Sequence, residues 1–168
     1  MHERKKALVG VLVGLLPLMS IVLGDIWIGY QDVMFLTSFL IYALLLPWIV
    51  EEQTEKTILL LAGSMALMAP AMDMLLNQPG IVAITDDSGG LSFSAPDYLL
   101  ISASGVAYYT ALSRISKKTG TTAFRVQGLS YLIATVGSVT PLGILGFLGW
   151  IFGVPVSHFI HYRRHETD

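Results

Sequence analysis

No cysteine occurs among the 168 residues. That absence excludes disulfides, thiolate metal sites, thiol catalysis and haem attachment through CxxC. Charge is nearly as scarce: only 13% of the residues are Asp, Glu, Lys or Arg, against about a quarter in soluble domains. So few charges cannot clothe a water-facing surface of this size. Catalytic signatures are missing as well. There is no HExxH, GxSxG or Walker A, no D-x-x-D-G of the alcohol phosphotransferases, and no lysine inside an apolar run that could hold retinal. Without them an enzyme is the less favoured class. No nucleic-acid module is present, and no cofactor is named by any motif. Internal repeats, low-complexity segments and linkers are also absent, so residues 1–168 read as a single domain.

What is there is apolar. Hydrophobic residues make up 54% of the chain and the mean hydropathy is +0.66. A helix needs about 20 apolar residues to cross a ~30 Å hydrocarbon core. Runs approaching that length fall at about 7–24, 33–50, 57–76, 97–113, 122–139 and 142–162. The first run follows Met1 to Lys6 in a signal-peptide-like layout, but it is long for one and no A-x-A site follows, so it reads as a retained helix. Val126 to Tyr162 carries no Asp, Glu, Lys or Arg. This stretch is too long for one span, and Gly137 to Pro141 supplies the break, since proline cannot continue the hydrogen-bond ladder.

Charge placement favours an even number of spans. Cytoplasmic flanks attract Lys and Arg, and with six spans all 10 basic residues fall on the inner side. The sequence therefore predicts an all-α integral membrane protein of the cell membrane. It would be a multi-pass bundle of six short transmembrane helices with both termini cytoplasmic. Residues of about 80–95 read as a β-hairpin-like outer loop, with strand-like segments at Ile81 to Thr85 and Leu91 to Ser94 around Asp86 to Gly90.

That topology leaves Asp25, Asp32, Asp73, Asp86, Asp87 and Asp97 at an outer mouth without basic neighbours, which would concentrate cations. Several have local explanations: Asp97 fits a capping box with Ser94, Asp32 sits where a helix dipole favours a carboxylate, and Asp86 and Asp87 are turn residues. Asp25 closes the first run, where the dipole disfavours an anion. Asp73 is the sharpest candidate, an acid three residues beyond Pro70 inside an apolar segment. Asn77 lies just beyond it, and Ser104 and Tyr108 belong to the most polar run. Asp73, Asp25, Asp32, Asn77, Ser104 and Tyr108 are the candidate ligand- or ion-binding residues.

His158, His161 and His165 recur at spacings of three and four and share a helix face. Neutral imidazoles so spaced could hold a metal, which makes His158 and His161 candidate ligands. A basic juxtamembrane tail against anionic lipid accounts for His161 and His165 without any metal. Gly10-x-x-x-Gly14 and Gly149-x-x-x-Gly153 are small-xxx-small patterns that let helices approach closely. They suit a homo-oligomer or a larger membrane complex as well as internal packing, and the lipid bilayer is the other expected partner. Three functions follow, in order of preference. The first is a small transporter or solute- or cation-binding membrane subunit. The second is a non-catalytic accessory or assembly subunit of a membrane complex. The third is a membrane-embedded, metal-dependent enzyme acting on lipid at the outer surface.

Overall fold

The structure is a computed structural model that describes residues 53–75, 83–84, 91–92, 95–138 and 140–164. Of the first 52 residues it describes only Lys5, Leu8, Val9, Val11, Leu12 and Leu15. Four helices dominate: α1 (Gln53–Leu75), α2 (Ala95–Thr119), α3 (Thr122–Val136) and α4 (Pro141–Arg164). Two short strands, β1 (Ala83–Ile84) and β2 (Leu91–Ser92), lie between α1 and α2. Each helix packs on the next in sequence, α1 on α2, α2 on α3 and α3 on α4, as short connections demand of neighbouring helices.

The joints follow from local chemistry. α2 ends at Gly120, whose φ of 67° places it in the left-handed region that glycine enters without steric cost. Arg164, at the end of α4, donates from Nη1 to the Gly120 carbonyl at 2.6 Å and ties the turn down. α3 ends at Val136, where the Gly137 amide still donates to the Ile133 carbonyl. Thr140 then bonds the Gly137 carbonyl through both its amide and its hydroxyl, each at 2.8 Å. Pro141 opens α4, the first helical position being the one where a missing N–H costs nothing. Residues 126–162 are thus two helices. Opposite the Gly120 turn, the Tyr98 hydroxyl donates to the Val136 carbonyl at 2.7 Å, fixing the start of α2 against the end of α3.

Small residues set the helix separations. A Cβ on Gly146 would stand 2.8 Å from the Ser130 oxygen and the Ile133 carbonyl carbon, so α4 meets the α3 backbone directly. A Cβ on Gly105 would collide with the Thr135 hydroxyl, so a side chain of α3 fills the space beside α2 there. The glycine side of α4 therefore faces α3 within the chain, and Gly149 and Gly153 continue it beside Ser130 and Gln127. The apolar core is built from Leu59 and Ala62 of α1, Tyr108, Ala111, Leu112 and Ile115 of α2, Phe124 and Tyr131 of α3, and Trp150, Ile151 and Val154 of α4. Val9 packs against it.

Two expectations are corrected. The bundle of six transmembrane helices is not supported: the described residues hold four helices, and α4 alone is both long and apolar enough to cross a membrane. α3 has 15 residues, about 22 Å at 1.5 Å per residue, well short of a ~30 Å core. α2 is long enough at 25 residues, but Arg114, Lys117 and Lys118 and its hydroxyl side chains dilute its apolar character. The runs at 7–24 and 33–50 lie outside the described residues, apart from the few named above. The outer hairpin is also corrected. The described residues contain only an antiparallel ladder of two residue pairs, Ala83 with Ser92 and Ile84 with Leu91. No hairpin complete with its turn is among them.

Candidate functional site

Helical periodicity brings polar side chains to the inside of the α2–α3–α4 bundle. On α2, Ser104, Tyr108, Ala111, Leu112 and Ile115 recur every three or four residues and are buried. On α3 the corresponding row is Phe124, Gln127, Gly128, Tyr131 and Thr135, and on α4 it includes Trp150, Val154, Ser157, His158 and His161. Half of these positions are polar, and several of them hydrogen-bond across helices.

Gln127 is the hub and is fully buried. Its amide nitrogen donates to the Tyr108 hydroxyl at 2.6 Å, and its carbonyl oxygen accepts from the Ser157 hydroxyl at 2.5 Å. One amide thus joins α2, α3 and α4, and the two hydroxyls fix which way it points. Trp150 Nε1 donates to the same Tyr108 oxygen at 3.3 Å. One layer away, the Ser104 and Tyr131 hydroxyls share a hydrogen bond at 3.3 Å. The rings close the layer: Tyr108 and Tyr131 centroids are 4.7 Å apart, and Tyr131 and Trp150 5.2 Å. Burying such groups is costly unless they are paired, and pairing here is mutual.

Toward the other end, Phe124 stands edge-on to both His158 and His161, at 5.2 and 5.6 Å. His161 Nδ1 lies 3.4 Å from the Thr121 hydroxyl. Thr121 is the N-cap residue of α3, yet its side chain makes no capping bond because it faces His161 instead. An ion pair finishes this end: Lys118 Nζ of α2 meets Glu55 Oε1 of α1 at 3.0 Å. Burial pushes the Glu55 carboxyl up. The Lys118 hydrogen bond, a backbone hydrogen bond and the charges of Lys118 and Arg114 outweigh that, so the group is held below the usual carboxylate range.

The candidate residues from the sequence divide accordingly. Ser104 and Tyr108 are brought together in the seam, bonded to Tyr131, Gln127 and Trp150. Asp73 lies in the last turn of α1, with its side chain outside the described residues, as are Asp25, Asp32 and Asn77 altogether. His158 and His161 are both buried on α4, each in ring contact with Phe124. Among the described residues no group of three or more His, Cys, Asp or Glu is placed to hold a metal. Gln127, Tyr131, Trp150, Ser157 and Glu55 escaped the sequence reading, which followed charges through Val126 to Tyr162 and passed over neutral polar groups. The signal was there: Gln127 and Tyr131 are four apart, as are Ser157 and His161, polar pairs at helical spacing in an uncharged stretch.

Compared with protein families, curated proteins and solved structures, the chain shows no match. Its chemistry is read from its own geometry.

Proposed function

We propose that this chain is a membrane-embedded helical subunit that works by packing and association rather than by catalysis. The observation that carries the reading is an inverted distribution of polarity. Gln127, Ser157, His158 and Ser104 are 0% exposed, while Leu145, Leu142 and Phe152 are 65%, 61% and 58% exposed. Water would reverse that pattern; lipid favours it, since apolar side chains cost nothing there and polar ones must be satisfied internally. The core helix of a soluble protein can match α4 in length and composition, but only 39% of the α4 window is buried. The interior supports the second half of the reading: small residues that admit a close neighbour, the Thr135 side chain at Gly105 and the α3 backbone at Gly146, with polar groups bonded across helices, are how helices associate where no hydrophobic effect drives them together. Ser104 and Tyr108, which would line a solute path, are instead filled in by partners.

Solute or cation transport is the second reading, and one observation favours it. The polar interior runs from Thr121, the N-cap of α3, to Thr135, about 21 Å at 1.5 Å per residue step, the kind of surface that would line a path through a bilayer. A single preparation separates the two. The full chain, purified in mild detergent and reconstituted into liposomes, is assayed with pH-, Na⁺- and K⁺-sensitive dyes, and a membrane extract is sized on a native gel. The association reading predicts no flux above that of empty vesicles and a complex larger than the protomer. Ion flux lost in Gln127→Leu would overturn it in favour of transport.

A further inference from the structure

Beside the buried seam, a second set of groups faces outward between α2 and α3. Tyr109 neighbours Tyr108 in sequence but points to the outside, where its hydroxyl bonds Arg125 of α3 and feels the charge of Lys117. Lys117 stands two turns beyond Tyr109 on the same stripe of α2, and both cations are exposed. Ser113 lies between them, its hydroxyl oxygen shielded from solvent and directed to the Tyr109 hydroxyl. No acid on α2 or α3 faces this group among the described residues: Glu55 reaches from α1 to Lys118. Immediately above, on the same two helices, Val106 and Leu129 are exposed at 53% and 44%. Two cations and two hydroxyls therefore sit at the foot of an apolar strip.

We infer that this face binds an anionic phospholipid, the headgroup phosphate on Arg125, Lys117 and the Tyr109 hydroxyl, and an acyl chain along Val106 and Leu129. The inference rests on the membrane reading above. Guanidinium and phosphate pair bidentately, and a cationic group at the membrane surface draws anionic headgroups. The apolar strip selects a lipid over free phosphate, which has nothing to lay along it.

The test uses the full chain in detergent micelles, its thermal unfolding followed by tryptophan fluorescence while dioleoylphosphatidylglycerol, dioleoylphosphatidylcholine or inorganic phosphate is added. Phosphatidylglycerol should raise the melting temperature, and the other two should not. R125Q and K117Q should each weaken the apparent affinity for phosphatidylglycerol roughly fivefold, R125K should weaken it less than R125Q because the charge stays while the bidentate fork is lost, and R114Q, whose charge acts on Glu55, should leave it unchanged. If R125Q does not fold, the K117Q and R125K arms still decide. Equal stabilisation by phosphatidylcholine or by phosphate alone overturns the inference, as does unaltered affinity in K117Q. Failure of the underlying membrane reading shows separately, as a chain that stays monodisperse without detergent.

Discussion

Gln127 links three helices through one side chain, and the consequence is testable there. Gln127→Leu keeps the volume but leaves the Ser157 hydroxyl and the Tyr108 oxygen without their shared partner. Interhelical hydrogen bonds in membranes are worth about 0.6–2 kcal/mol, so the substitution should destabilise the bundle by about 1–2 kcal/mol, measured by SDS or thermal unfolding in detergent. Val126→Leu, one residue away and exposed, should be silent. Glu55 gives a second prediction at this scale. Its carboxyl is held below its ordinary value, so the stability it contributes is present above that value and is lost as pH falls through the lowered one. Acidification below the ordinary carboxylate range should therefore loosen α1 from α2, followed by proteolysis between them, and Glu55→Gln should flatten that dependence. In the sequence, Ser104 and Tyr108 were legible as polar groups in an apolar run. Their partners were not, because partner choice depends on which α3 and α4 faces turn inward, and no run of local residues states that.

At the scale of the helix, two glycines of α4 with the same local sequence character behave differently. Gly146 meets the α3 backbone directly, whereas a Cβ on Gly153 would stand 3.5 Å from Gln127, an ordinary contact. Gly146→Ala should cost about 1–3 kcal/mol as overpacking forces α3 and α4 apart. Gly153→Ala should be neutral or gain a few tenths of a kcal/mol from helix propensity. Thermal unfolding of the two variants side by side checks the contrast, and equal effects would contradict the packing. The sequence pattern had singled out Gly149-x-x-x-Gly153 by its spacing, yet the tightest approach is one turn earlier. Spacing identifies a face on which small residues recur; it does not say at which of them two helices cross. The break between α3 and α4 was far more legible, since Gly137 and Pro141 each carry a backbone constraint that acts wherever the neighbours are.

For the whole molecule, composition bears on the helical class but not on how many helices there are. Scarce charge and abundant apolar side chains follow from 168 residues without knowing the fold, and the helical class follows from the length of the apolar runs. The number of spans does not. Counting apolar runs gave six, but α3 is too short and α2 too polar, and α4 alone among the described helices meets both requirements. Charge asymmetry could not repair the count, because the same basic residues that suit a cytoplasmic flank also serve as local ties, Arg164 on the Gly120 carbonyl and Lys118 on Glu55. The acidic mouth inferred from six spans rests on residues that, apart from the backbone of Asp73 and Asp97, lie outside the described structure.

The central claim is that the exposed side of α4 faces lipid while its polar side faces α3. The absence of native cysteine makes that directly measurable. Phe152→Cys, spin-labelled in the full chain reconstituted into liposomes, should relax strongly with dissolved oxygen and weakly with a water-soluble nickel chelate. A label at Phe152 that responds to nickel more than to oxygen would place that face in water and contradict the account.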